Sequence, residues 1–249
     1  QSLLLRREPV VTPADLREEF RAYADGLCFM DWAATGLLAE SARAALNRYV
    51  AELATCPAHE STWMHGTHGQ TRNDARMVAA RMFASRPEDV ALVESTTAGL
   101  NTVASVLPVK AGDNVVVPSI DYLAVAMPWK LRSAREGFEL RWVEPRDRGI
   151  QVEDILSLCD DRTRVVAVST VCWTTGALVD LELLAPALRE RGIHLLVDGI
   201  QTFGVIPVDV ARAPAAGWCV GGHKWLGSVL GAGLLYVDPE LARDHAPAL

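Results

Sequence analysis

Apolar positions in this 249-residue chain follow two patterns. Some segments repeat apolar residues every three or four positions, the spacing of one helix face, and others are short unbroken apolar runs. Pro13 followed by Ala-Asp-Leu-Arg-Glu-Glu-Phe marks a helix start, with proline in the first turn and acids behind it. A short apolar strand is expected at residues 28–30 and a helix over 37–53. The Gly-, His- and Thr-rich stretch 56–69 predicts an ordered loop. From Thr71 a rhythm sets in: helices over 71–84, 97–107, 124–136 and 181–191 are interleaved with strands at 90–93, 114–118, 139–143, 165–169 and 194–197, and a last strand follows at 234–237. Several of these strands are continuous apolar runs, as expected of strands covered on both faces. Strand–helix alternation of this kind predicts an α/β fold of three layers around a mostly parallel sheet. Ligands in such sheets bind at the carboxyl ends of the strands, and candidate chemistry is to be sought there.

Composition narrows the class. Half the residues are hydrophobic and 22% are charged, enough apolar content to offset the entropy of ordering. The net charge of −7, without a Lys/Arg block, argues against a nucleic-acid or anionic-membrane binder. No apolar run approaches the roughly 20 residues of a membrane span. The opening QSLLLRREPVV is too short an apolar stretch for a signal peptide and runs into charge. The five cysteines (Cys28, Cys56, Cys159, Cys172 and Cys219) are scattered and never spaced C-x-x-C, so free thiols in a reducing cytoplasm are expected. His65 and His68 have a spacing open to a metal, but no ligand cluster accompanies them, and no metal is expected.

Three strand ends carry unusual residues. At Glu94-Ser95-Thr96-Thr97-Ala98-Gly99, small hydroxyls lie where a buried strand gives way to a helix. Helix N–H groups and dipole make such a point a phosphate site, although Ser and Thr are also ordinary helix caps. At Val197-Asp198-Gly199-Ile200-Gln201, a carboxylate follows a buried strand and needs a cation or several donors; a turn-forming role is the simpler alternative. At Gly221-Gly222-His223-Lys224-Trp225-Leu226-Gly227, a lysine lies among glycines and aromatics. Poor solvation there lowers its pKa and suits it to imine formation, whereas a surface lysine would have no such role. A phosphate-loop reading fails because Gly-Lys-Ser/Thr is absent, and no G-x-G-x-x-G follows the first strand.

A phosphate cradle, an acid for a ring nitrogen and an imine-forming lysine are together the parts a pyridoxal phosphate (PLP) site requires. From about Phe29 to Val237 the chain resembles the class V aminotransferase family, which includes cysteine desulfurases and isopenicillin N epimerase-like enzymes. The resemblance rests on Ser-Thr-Thr-Ala-Gly-Leu-Asn (95–101), Asp121-Tyr122 with Pro128-Trp129, Asp198-Gly-Ile-Gln-Thr-Phe-Gly204 and Gly222-His-Lys-Trp-Leu-Gly227. It implies PLP fold type I, with Lys224 as the lysine that binds the cofactor covalently and Asp198 as partner of its pyridine nitrogen. Gln201 would donate to the phenolic oxygen, Thr96, Thr97 and His223 would bind the phosphate, and Tyr122 would stack on the ring in a place often held by His.

Departures from the family pattern are equally specific. Gly221 replaces a phosphate-binding Ser of desulfurases. Trp173 replaces an Asn near the substrate, and an indole is far larger and accepts no hydrogen bond. No cysteine matches the desulfurase nucleophile, which lies in a later loop. The C-terminal part of the small domain, which supplies an Arg for the substrate carboxylate, is expected to be absent from this stretch. The resemblance therefore implies an N-terminal segment (1–70) contributing to a small domain and the active-site mouth, and a large PLP-binding domain (71–240). The expected function is chemistry at the α-carbon of an amino acid or related amine, ending in epimerisation, transamination or β-elimination with C–S cleavage. An isopenicillin N epimerase-like branch is favoured over a cysteine desulfurase, and a catalytically silent scaffold subunit is a further alternative. A homodimer acting on a small molecule, without nucleic acid or membrane, is expected.

Overall fold

The computed structural model of the chain describes residues 12–20, 26, 28–55, 61–147 and 149–245. The opening segment 1–11 and Cys56 lie outside the described residues. Three helices come first, α1 (Pro13–Glu19), α2 (Glu40–Thr55) and α3 (Ser61–Phe83). There follow β1 (Val90–Val93), α4 (Thr96–Val106), β2 (Asn114–Pro118), α5 (Leu123–Glu136), β3 (Glu139–Val143), α6 (Val152–Ser157) and β4 (Thr163–Ser169). The chain then runs through α7 (Leu181–Glu190), β5 (His194–Asp198), β6 (Gly217–Gly221), β7 (Gly233–Val237) and α8 (Pro239–Asp244).

Among the described residues the strands form one seven-stranded sheet in the order β1-β7-β6-β5-β4-β2-β3. The pairs β2–β3, β2–β4, β4–β5 and β5–β6 are parallel, and β7 runs antiparallel to both of its neighbours. Successive strand residues point to opposite faces, and here both faces are apolar, so each strand feeds two cores. Val116, Val166, Val168, Leu195, Val197 and Trp218 join a core with α6, α7 and the end of α3. Val115, Val117, Val165, Ala167, Leu196 and Cys219 join a second core with α4 and α5. The result is the expected three-layer α/β fold.

Three details differ from expectation. Residues 28–30 form no strand; Phe29 instead sets its ring edge-on to Trp32 at 6.1 Å. Of the expected loop at 56–69, residues 61–69 are helical and continue into α3, while 56–60 lie outside the described residues. Local bonds support that turn-prone composition: Gln70 donates to Asp74 at 2.8 Å, the Thr71 hydroxyl donates to the Thr67 carbonyl, and His68 packs edge-on to Tyr49. The division expected at residue 70 therefore falls inside one continuous helix. Sequence patterning also missed α6, β6 and α8. Strand β6 is bounded by glycines, and a Cβ at Gly217 would stand 2.8 Å from Val103 of α4, so glycine there permits close helix–sheet contact. No helix among the described residues is long and apolar enough to cross a membrane.

Candidate active site

The carboxyl ends of β1, β2, β4, β5 and β6 open into one cavity of about 550 Å³. Strand order reverses beside it: β3 lies on one side of β2, and β4, β5 and β6 continue on the other. Such a switch point leaves a crevice where loops diverge. All seven candidate residues (Thr96, Thr97, Tyr122, Asp198, Gln201, His223 and Lys224) line this cavity.

Beyond β1, Ser95 caps α4, its hydroxyl accepting from the Ala98 N–H at 3.0 Å. Thr96 and Thr97 then form the first turn at the positive end of an eleven-residue helix. The Thr96 hydroxyl is buried and has no hydrogen-bond partner in the protein. Gly221 approaches it closely: a Cβ there would stand 2.9 Å from Thr96 Oγ1 and 2.9 Å from Ile200 Cδ1. A serine at 221 would need this corner to move, so glycine here matches the neighbouring threonine. An orphaned hydroxyl, a bare backbone and a helix N-terminus together make a cradle for an anionic group.

Asp198 ends β5 and is 2% exposed. Its carboxylate accepts from the Ile200 N–H at 2.9 Å. Burial pushes its pKa up to about 7; the Ile200 N–H and Lys224 oppose that shift, and the Asp121 charge adds to it. A carboxylate in that condition is ready for a cation. Lys224 lies in the connection between the antiparallel strands β6 and β7, which is closed by Gly222 N–H to the Ala232 carbonyl at 2.8 Å and Gly227 N–H to the Lys224 carbonyl at 3.0 Å. Burial lowers the pKa of Lys224, with Asp198 opposing, and burial followed by the Lys224 charge lowers that of His223.

Gln201 is more committed than its expected role required. Its amide nitrogen donates to the Ala33 carbonyl at 2.9 Å and its oxygen accepts from the Trp225 indole at 2.8 Å. One of its two amide hydrogens is left for a group in the cavity. Tyr122 caps α5 and is 47% exposed, with its ring edge-on to Trp173 at 5.5 Å. The Trp173 indole donates to the Ile120 carbonyl at 3.2 Å, which sets an aromatic pair on one wall.

Three participants were not foreseen. Asp121 and Ser169 tie the ends of β2 and β4 together: the Asp121 carboxylate accepts from the Ser169 N–H at 2.7 Å, the Ser169 hydroxyl and the Tyr122 N–H at 2.9 Å. Burial raises the pKa of Asp121 against these donors. The signal was available, since Asp121, like Asp198, follows an apolar strand. Asp31, on the N-terminal segment, gave no such signal and reaches the cavity only through folding. His65 and His68 lie on α3 and line no part of it.

Comparison with known proteins agrees with this fold. The family model described as aminotransferase class V matches residues 28–249. A cysteine desulfurase of Salmonella newport is 33% identical over 186 residues, covering 72% of this chain and 45% of that relative. The chain thus spans about half the length of the curated relatives it matches. Among solved structures, the cysteine desulfurase CsdA from Escherichia coli superposes with a TM-score of 0.85 at 25% identity, covering 96% of this chain and 61% of that one. A C-DES mutant with glycine covalently linked to its PLP cofactor gives 0.84 at 21%, covering 93% and 62%, and shares the fold. The complex of the cystine C–S lyase C-DES with its product cysteine persulfide gives 0.82 at 21%, covering 92% and 61%.

Proposed function

Because the chain belongs to the class V aminotransferase family, we propose that it binds PLP through Lys224 and acts at the α-carbon of an amino acid or related amine. One observation carries this reading: Lys224, the buried Asp198 and the orphaned Thr96 hydroxyl meet in one cavity. The residues fit the cofactor, since the Thr96 hydroxyl lacks a partner and Gly221 leaves room beside it for a phosphate. Thr97 and His223 would complete that phosphate site. Asp198 would hold a proton on the pyridine nitrogen, Gln201 would donate its remaining amide hydrogen to the phenolic oxygen, and Tyr122 would cover one face of the ring. The bound cofactor supplies an electron sink for the substrate α-carbon. Lys224, half-buried and short of solvent, would take up and return the α-proton at Nζ. A silent scaffold has no use for a carboxylate held buried beside a desolvated lysine.

Two outcomes at the α-carbon have separate support. Trp173, which is larger than the Asn of desulfurases and accepts no hydrogen bond, favours the epimerase-like branch. The desulfurase relatives favour cleavage of a C–S bond in a cysteine-type substrate. Incubation of the cofactor-loaded protein with single amino acids in D2O is expected to exchange the α-proton of its substrate. Racemised product then marks the first branch, and released sulfur the second. A panel without any exchange or product would overturn the reading.

The proposal includes a homodimer, because Gly221 offers the phosphate no side-chain donor and a second copy could supply one. An active holoprotein that sediments as a monomer at every workable concentration removes this part. A reducing cytoplasm, suggested by scattered cysteines never spaced C-x-x-C, belongs to the same proposal. A large domain over 71–240, sharing helix α3 with the preceding segment that shapes the cavity mouth, belongs to the same reading.

A further inference from the structure

The backbone of Lys224 is gripped by a strap from the N-terminal segment, residues 31–37. Gly36 N–H donates to the His223 carbonyl at 2.8 Å. A Cβ at Gly36 would stand 2.0 Å from the Lys224 carbonyl oxygen, so strap and loop approach this closely only because no side chain intervenes. The Trp32 ring of the strap lies almost parallel to that of Trp225, with centroids 6.0 Å apart and planes at 15°. The Trp225 indole N–H is held by Gln201, whose amide nitrogen reaches back to Ala33 in the strap. Contact recurs at Gly227, where a Cβ would meet the Leu37 carbonyl oxygen at 3.2 Å. Behind the loop, Gly204, with φ of +97°, backs onto the carbonyl of Trp225. None of these groups is needed as a reacting atom.

We infer that the Trp32–Trp225 stack, seated by Gly36, is a latch that positions Lys224, which makes Trp225 and Gly36 positioning residues for the amine. This rests on the reading of Lys224 as the reactive lysine. Its amine rides on a flexible four-carbon stem, so its placement is only as good as that of the backbone beneath it. Two indoles in face contact cover the loop from water and set its height against the end of β5. Opening the latch admits water to the amine. The charged or titratable groups lining the same cavity are Asp198 from β5, His223 on its own loop, Asp31 on the strap and Tyr122 at the start of α5.

The test is made on the cofactor-free chain. Trace acetylation over a pH series, with Lys224 followed by peptide mass spectrometry, gives the midpoint at which its amine becomes reactive. In Trp225→Ala and Gly36→Ala that midpoint is expected to rise by about one unit toward ordinary lysine, because hydration favours the ammonium form. Trp225→Phe, which keeps a ring against Trp32, is expected to stay at the wild-type midpoint although it loses the N–H donated to Gln201. Trp32→Ala repeats the test without touching the lysine loop and serves where another variant fails to fold. An unchanged midpoint in folded Trp225→Ala or Trp32→Ala overturns the latch, and so does a Trp225→Phe midpoint shifted as far as that of the alanine variant. Borohydride reduction of the cofactor-loaded wild type is read separately: no adduct on Lys224 would overturn the PLP reading and leave the midpoint comparison intact.

Discussion

Lys224→Ala is expected to abolish the borohydride-reducible cofactor adduct and to lower turnover by at least about 10²–10⁴-fold, the usual contribution of a positioned acid–base group. In the wild type, peptide mapping after reduction is expected to find the cofactor on Lys224. The argument is one of environment. Burial lowers the pKa of this amine, and the carboxylate opposing the shift is the buried Asp198. Burial therefore favours the neutral, nucleophilic form of this amine more than solvent does for an ordinary lysine. Lys130 is exposed on α5 and Lys110 is exposed in the turn before β2, so neither has that environment. Lys224→Ala is still expected to retain PLP non-covalently, since Thr96, Thr97 and His223 remain. A label on Lys110 or Lys130, or the absence of any reducible adduct, would overturn the assignment.

Asp198→Asn separates binding from chemistry. Cofactor should still bind while turnover falls by about 10²–10³-fold, the scale of losing one preorganised electrostatic partner. An amide cannot hold the ring nitrogen protonated. Near-wild-type turnover would remove Asp198 from the role. The same variant has a signature in the cofactor-free protein. The folded-state pKa of Asp198 is about 7, against an ordinary 3.8, with burial as the chief cause. A carboxyl whose pKa is raised on folding contributes stability that is fully present below its unfolded pKa and is lost as pH rises through its folded pKa. The wild-type apoprotein is therefore expected to lose stability relative to Asp198→Asn between about pH 4 and pH 7, and the gap should level off above that range. Thermal melts across the range check this, and parallel curves for the two proteins would contradict it.

Much of this protein was legible in the pattern of its residues. Unbroken apolar runs such as 115–117 and 195–197 told of strands covered on both faces, because alternate side chains enter two separate cores. Thr96 and Asp198 were legible as chemistry because small hydroxyls and acids are unusual where a buried strand ends, and Lys224 because glycines and aromatics flank it. Strand β6 escaped notice because its terminal glycines resemble a loop, and they are required only by the approach of α4 over Gly217 and of Thr96 beside Gly221. The stretch 61–69 read as a loop for a related reason: local propensity is weak, and packing of His68 on Tyr49 together with the continuing helix decided its state.

Local order in the chain determined which strands are buried and which residue types stand at their ends. Tertiary structure alone decided who meets whom. Asp121 and Ser169 lie 48 positions apart and join only because β2 and β4 are neighbours in the sheet. Ala33 and Gln201 are separated by 168 positions and meet only because the N-terminal segment crosses the β6–β7 connection. A side chain's chemistry is written in its identity, but its desolvation, and so its pKa and partners, is a property of everything that folds around it.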